Sequence, residues 1–313
     1  MDRDRPPRVA ALALGALLAL AAAAALAGCS SGGGGGGQPV QTPSQRFAAI
    51  LGHQPTGLAA TVARRGTLVV GEDPEFAPQS SVDSTGAWSG FDVDVARKVG
   101  AVLGLKVEFR QLDWARVPAA LAADRYDVAI SSMATDPRPS GRLAFAAPYA
   151  YMTAQVAVRQ GNAAITTLGE LRGKTIGVSA STTFQQFLEA AGGVNVALYP
   201  SDADALPDVG NASLAGALTA ATTAATEQAS GAQIAATGAG FFYQPQAFAT
   251  RRGAADFVAV LNSAVKTMRQ NGSLAALSRT WYHGLDVSAH PAASVPVFSR
   301  ALAMLKAGTY PLQ

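Results

Sequence analysis

The sequence predicts an α/β fold, and three observations carry that prediction. Short apolar runs bounded by polar turn residues, such as 66–71 and 128–130, read as buried strands. Between them stand stretches with apolar residues at helical spacing, as in Phe91, Val95, Val99 and Val102. The chain of 313 residues, 49% hydrophobic and 14% charged, is long enough for a sizeable core divided between two domains. Its net charge of +3 is too small to indicate a nucleic-acid partner, and no basic stripe, zinc-ligand spacing or phosphate loop is present. No cofactor or metal is expected.

The chain begins with Arg3, Arg5 and Arg8 and continues with an apolar run over 9–25, the length of a signal-peptide core. Leu26-Ala27-Gly28-Cys29 follows and resembles a bacterial lipobox, in which the cysteine receives a diacylglycerol and becomes the mature N-terminus. Cys29 is the only cysteine, so no internal disulfide is expected. The other reading of 9–25 is a transmembrane anchor. Residues 1–28 are therefore expected to be a lipoprotein signal peptide. Residues 29–45, with six consecutive glycines and then Pro39 and Pro43, are expected to form a flexible tether.

The folded part starts with a helical stretch of unsettled extent over 47–62 and a first strand at 66–71. The strand leads into the loop Glu72-Asp73-Pro74-Glu75-Phe76. Gly90-Phe91-Asp92-Val93-Asp94 opens an amphipathic helix whose aspartates sit in the first turn, where the macrodipole favours them. We read both as structural. Residues 105–111 alternate as a half-buried strand, and Trp114 precedes a helix at 117–123; the indole either reaches a cleft or packs under that helix. The strand at 128–130 ends in Ser131, Ser132 and Met133. In open α/β sheets ligands bind beyond the carboxyl ends of strands, so these three are candidate lining residues. A strand at 175–178, a helix at 184–191 and a strand at 195–199 follow, then an Ala- and Thr-rich helix over 211–229. Phe257, Leu261, Val265 and Met268 trace one face of a helix, a last helix covers 274–281, and 301–305 is a short helix packing on the folded body.

Several segments carry a resemblance, in order: GFDVDVA at 90–96, YDVAISSMATDPRPSGRLAFAAPY at 126–149, LGELRGKTIGV at 168–178 and LNSAVKTMRQNGSLAALSRTWYHG at 261–284. Together they resemble the extracellular solute-binding proteins of family 3, the substrate-binding lipoproteins of amino-acid ABC importers. The resemblance covers about 66–284. It implies a two-lobed periplasmic-binding-protein type II fold. The first lobe would take 46–153 and return over 241–284, the second would take 154–240, and 285–313 would be an extension. The crossing segments would lie near 153–158 and 238–243. It further implies a monomer that holds an amino acid or cationic analogue between the lobes and presents it to an ABC permease.

The resemblance also implies site residues. Phe76 stands where the family places an aromatic over the ligand, although a core phenylalanine is the other reading. Ser181, Thr182 and Thr183 replace the family's Gly-Thr-Thr loop, whose N–H groups and hydroxyls at a helix start hold the ligand carboxylate. A simple hydroxyl cap reads equally from the residues. Two departures follow. The family's carboxylate-gripping arginine, chosen for planar bidentate bonding, falls on Pro139 in an ungapped alignment, with Asp136 at the preceding threonine position. A one-residue shift fits Thr135-Asp136-Pro137-Arg138 and makes Arg138 the clamp, with Arg142 a further candidate. If Asp136 instead faces the cleft, it suits a cationic ligand; a turn residue before proline is its ordinary role. The family's GrvDAvvxD segment, whose last aspartate takes the ligand ammonium, has no counterpart aspartate in 211–229.

Two rival classes share this fold. A cyclohexadienyl-dehydratase-like lyase would need a carboxylate or histidine in the cleft, for which Glu75 and Asp136 are the candidate acids. A sensor or adaptor that no longer binds solute fits the missing aspartate.

Overall fold

The computed structural model describes residues 41–136, 141–162 and 164–312; Cys29 and Arg138 lie outside them. Residues 41–313 form one compact unit. It opens with α1 (Pro43–Leu51), which starts on a capping box: Thr42 Oγ1 accepts the Gln45 N–H at 3.3 Å, and Gln45 Oε1 accepts the Thr42 N–H at 2.9 Å. Residues 43–45, expected in the tether, are therefore helical. The next elements are α2 (Gly57–Arg65), β1 (Thr67–Glu72) and the small antiparallel sheet β2 (Glu75–Phe76), β3 (Ser80–Val82) and β4 (Trp88–Ser89). Then come α3 (Phe91–Leu103), β5 (Lys106–Gln111), α4 (Val117–Ala122), β6 (Val128–Ala129) and β7 (Leu143–Phe145).

The second half contains β8 (Ala150–Arg159), β9 (Thr175–Ser179), α5 (Thr183–Ala191), β10 (Asn195–Tyr199), α6 (Asp202–Gly210), β11 (Gly216–Ala220) and α7 (Ala221–Ala229). It ends with β12 (Ile234–Gln246), β13 (Ala249–Arg251), α8 (Ala255–Gln270), α9 (Ser273–Trp281) and α10 (Phe298–Lys306).

Two five-stranded sheets organise these elements into two lobes, with orders β5-β1-β6-β13-β7 and β10-β9-β11-β8-β12. In the first, β5, β1 and β6 are parallel, and the returning β13 is antiparallel to β6 and β7. The pleat sends alternate side chains of β1 to opposite faces. Leu68 and Val70 join a core with α1, α2, α3, α8 and α9, while Val69 joins Val117, Leu121 and Met133 on the α4 side. In the second sheet Leu218 packs with Phe184, Phe187 and Phe298, while Ala217 packs with Ala205, Leu206 and Val209 of α6.

The structure departs from the sequence reading at two further places. Residues 211–229 are not one helix: 216–220 form the fully buried central strand β11, and only 221–229 are helical. A strand covered on both faces needs small or apolar residues, not alternation, so GALTA carries no strand signature. The crossings also lie closer to the first lobe than expected. Ala150 belongs to the first core but Ala154 to the second, and Phe242 belongs to the second but Phe248 to the first. The chain therefore changes lobes near 150–153 and 243–247, because β8 and β12 pair with each other along nearly their full length inside the second sheet.

Candidate functional site

Strands β1 and β6 lie side by side with Gly71 opposite Ala129, so their carboxyl ends emerge together. That brings Asp73 against Ser131, whose Oγ accepts the Asp73 N–H at 3.1 Å. The Asp73 carboxylate is bonded on both oxygens: Oδ1 accepts the Glu75 N–H at 2.9 Å and Oδ2 accepts the Trp114 indole N–H at 2.7 Å. Trp114 is 45% exposed and Phe76 is 40% exposed. Trp114 thus stands open beside a partly exposed carboxylate at the strand ends of the first lobe, and Phe76, in the same loop as Asp73, is open as well. Asp73 was not singled out from the sequence; its place in a Glu-Asp-Pro loop reads as an ordinary turn.

Ser131, Ser132 and Met133 are buried rather than open to a cleft. Met133 packs in the core with Leu121, Tyr126 and Ala249. Ser131 and Ser132 both adopt left-handed backbone, with φ of 42° and 46°. Such backbone persists in non-glycine residues only where the surroundings impose it. Here two fully buried acids do so. Glu72 Oε2 accepts the Ser131 N–H at 3.3 Å, and Asp92 Oδ1 accepts the Tyr149 hydroxyl at 2.7 Å. Tyr149 in turn accepts the Ser132 N–H at 3.1 Å. The Ser80 and Ser132 hydroxyls lie near Glu72 and Asp92 without meeting strict hydrogen-bond geometry. Burial raises both carboxyl groups above the usual range, and at Glu72 the Asp92 charge adds to the effect.

Thr135 donates its N–H to the Pro245 carbonyl at 2.9 Å, fixing the site loop to the end of β12. The Asp136 carboxylate accepts the Ser299 N–H at 2.7 Å, so it caps α10. In the second lobe, Ser181 is exposed with φ of 61°, and its N–H is taken by Gln185 Oε1 at 2.7 Å. Thr182 caps α5 by accepting the Gln185 N–H at 3.3 Å. Thr183 donates to Gln244 Oε1 at 3.2 Å, and Gln244 Nε2 donates to the Asp136 carbonyl at 2.8 Å. Gln244, only 6% exposed, thereby joins the two lobes' candidate residues, a role no sequence signal announces. Strand β11 also locates the second departure. With Ala217 on the alanine of GrvDAvvxD, the last aspartate position falls on Ala221, the first residue of α7. The aspartate at that end of the lobe, Asp202, is bonded to the Thr219 hydroxyl at 2.6 Å and the Ala220 N–H at 3.2 Å. Among the described residues no cluster of side chains is arranged to hold a metal.

The model of the bacterial extracellular solute-binding proteins, family 3, matches residues 68–284. The chain belongs to this family. The L-cystine-binding protein TcyJ of Escherichia coli (strain K12) is 30% identical over 236 residues, which are 74% of this chain and 88% of that protein. The lysine/arginine/ornithine-binding periplasmic protein of the same strain is 24% identical over 72% of this chain and 92% of its own. Among solved structures, the L-cystine solute receptor of Neisseria gonorrhoeae in the unliganded open conformation superposes with a TM-score of 0.66 at 22% identity, covering 75% of this chain and all of that one. The ancestral amino acid-binding protein AncCDT-1, a precursor of cyclohexadienyl dehydratase, superposes with a TM-score of 0.56 at 26% identity, covering 71% and 97%. These solved structures share the two-lobed periplasmic-binding-protein fold of this chain.

Proposed function

We propose that the protein is a lipid-anchored receptor that binds an amino acid or a cationic analogue between its lobes and delivers it to an ABC permease. The observation that carries the ligand class is Asp73, held by the open Trp114 indole, with Phe76 exposed in the same loop. A carboxylate beside aromatic faces suits an ammonium or guanidinium, and a cation over a ring contributes roughly 0.5–2 kcal/mol. With alanine at 221, the first lobe supplies the charge for a cationic group. In this reading Arg138 and the loop Ser181-Thr182-Thr183 receive the carboxylate, and the buried Ser131 positions the Asp73 loop from beneath. Names of relatives that bind cystine and basic amino acids support the same class. Cys29 carries the lipid, 1–28 is removed, and the glycine-rich tether lets a monomer reach its permease. No cofactor takes part.

A thermal-shift screen of residues 41–313 tests the ligand class, with L-cystine, the other L-amino acids, polyamines and quaternary ammonium compounds. A ligand at a hundred times its dissociation constant stabilises by about 2.7 kcal/mol. Stabilisation by a basic amino acid or by cystine is the expected result. Silence across the panel would favour the adaptor reading that alanine at position 221 also fits.

A further inference from the structure

Residues 285–312 lie beyond the stretch matched by the family model. They begin tied to the first lobe. Ser278 Oγ accepts the Val287 N–H at 2.7 Å and donates to the Leu285 carbonyl at 2.8 Å, and Arg269 of α8 donates to the Ser288 carbonyl. Val287 itself is buried in the first core. They end tied to the second lobe. Phe298 packs on Phe242 with ring centroids 5.0 Å apart, Tyr310 packs on Phe187 at 5.5 Å, and the Leu312 carbonyl accepts the Gly169 N–H at 3.0 Å.

Between these anchorages the segment wraps the ribbon of β8 and β12 where the chain changes lobes. In that ribbon Tyr151 stands opposite Pro245, and Tyr243 opposite Thr153. The Tyr151 N–H donates to the Val287 carbonyl at 2.8 Å, and the Tyr243 N–H donates to the Pro296 carbonyl at 3.0 Å. Both N–H groups thus point away from the partner strand, as they do at the non-hydrogen-bonded pairs of an antiparallel ladder. Val287 therefore lies on the edge of β8 remote from β12, and Pro296 on the edge of β12 remote from β8. His290 covers one face between them, its ring centroid 4.9 Å from that of Tyr151 and 5.2 Å from that of Tyr243.

We propose that residues 285–312 are a strap, a third crossing between the lobes that limits how far they turn about β8 and β12. Two lobes joined only by a pair of strands can turn about that narrow hinge. A segment that grips both edges of the ribbon and one of its faces opposes the turning. A large rotation must break the edge bonds or draw Val287 or Phe298 out of a packed core, and packed cores do not deform continuously. Such a strap narrows the range of lobe angles around whichever arrangement is favoured. It needs the two lobes but no ligand.

The test measures the spread of lobe separation without ligand. The full chain carries Cys29→Ser and spin labels at Lys98→Cys on α3 and Leu198→Cys on β10, both exposed positions, and distances are read in detergent by pulsed electron resonance. Inserts of three and of six Gly/Ser residues between Pro291 and the exposed Ala292 slacken the strap and leave both anchorages in place. A control insert of six between Thr85 and Gly86, in the exposed β3–β4 turn, stays within one lobe. The Asp136 carboxylate also bonds α10 at Ser299, so each variant is read with Asp136 and with Asp136→Ala. The distance distribution should broaden with the shorter insert, broaden further with the longer one, and keep the parent width in the control. Parent widths for both inserts in both backgrounds would overturn the strap and leave 285–312 as a cover for the second core. Equal broadening by the control would overturn it as well. Thermal melts check that each variant is folded, and the shorter insert decides alone if the longer one unfolds the chain.

Discussion

The Tyr149 hydroxyl donates to Asp92 Oδ1 at 2.7 Å inside a core where Asp92 and Glu72 are both fully buried. Two acids in one low-dielectric site resist ionising together. Burial pushes Glu72 up to about 8 and also raises Asp92. The folded state therefore holds more protons than the unfolded chain from about pH 4 to about pH 8. The stabilisation is complete below the unfolded carboxyl range and is lost as pH rises through the folded one. We expect urea melts to show higher stability at pH 5 than at pH 8, with a slope of about 1.4 kcal/mol per pH unit for each extra proton held. Glu72→Gln should flatten that slope. An unchanged slope in the variant would remove Glu72 from the explanation.

In the proposed reading Asp73, held by the Trp114 indole N–H, supplies the charge for a cationic ligand. Asp73→Asn should weaken a cationic ligand by about 1.5–3 kcal/mol, the usual worth of a charged hydrogen bond. Trp114→Phe keeps an aromatic face but releases the carboxylate, so a smaller loss is expected. Arg138→Ala should weaken ligands that carry a carboxylate by a similar 1.5–3 kcal/mol and leave a polyamine unaffected. Isothermal titration with an amino acid and its decarboxylated amine separates the two ends of the ligand. Equal losses for both compounds in Arg138→Ala would reject its role as the carboxylate clamp.

Much of the first lobe was legible because elements such as α8 and β5 keep the periodicity of their type. The helical face Phe257, Leu261, Val265 and Met268 is buried along α8 as its spacing implies, and β5 keeps its alternation at the sheet edge. The second lobe hid β11, since a strand buried on both faces gives up alternation and its alanines and threonines read as helix. The site was less legible still. Ser131 and Ser132 follow their strand as expected, but the acids that hold their left-handed backbone come from Glu72 and from Asp92, a helix away in sequence. Gln244 acts through contacts with Asp136 and Thr183, which are 108 and 61 residues away. Such long-range bonds leave no periodic trace.

Gly90 and Gly86 make a contrast that tests the entry to α3. Both have positive φ, 137° and 84°. A Cβ on Gly86 would meet nothing within 4 Å, whereas one on Gly90 would fall 2.2 Å from the Gln79 carbonyl oxygen. Gly86→Ala should cost only the strain of left-handed backbone, about 1–2 kcal/mol. Gly90→Ala adds a backbone collision that no rotamer relieves, and should cost about 3 kcal/mol or more. Thermal melts of both variants check the order. Comparable losses would show that the β3–α3 junction yields more readily than its geometry indicates.

The membrane attachment separates two readings of the apolar run at 9–25. In the proposed reading a thioether-linked diacylglycerol on Cys29 would supply two acyl chains, enough for stable anchoring where one chain is marginal. Among the described residues no helix is long and apolar enough to cross a membrane. Cys29→Ala should release the protein from carbonate-washed membranes, or leave it as an uncleaved precursor of higher mass, and should abolish incorporation of a labelled fatty acid. Parent and variant both retained at the uncleaved mass, with no label in the parent chain, would instead make 9–25 a transmembrane anchor. The two outcomes differ in mass by the signal peptide and in label by the lipid, so one gel and one autoradiograph distinguish them.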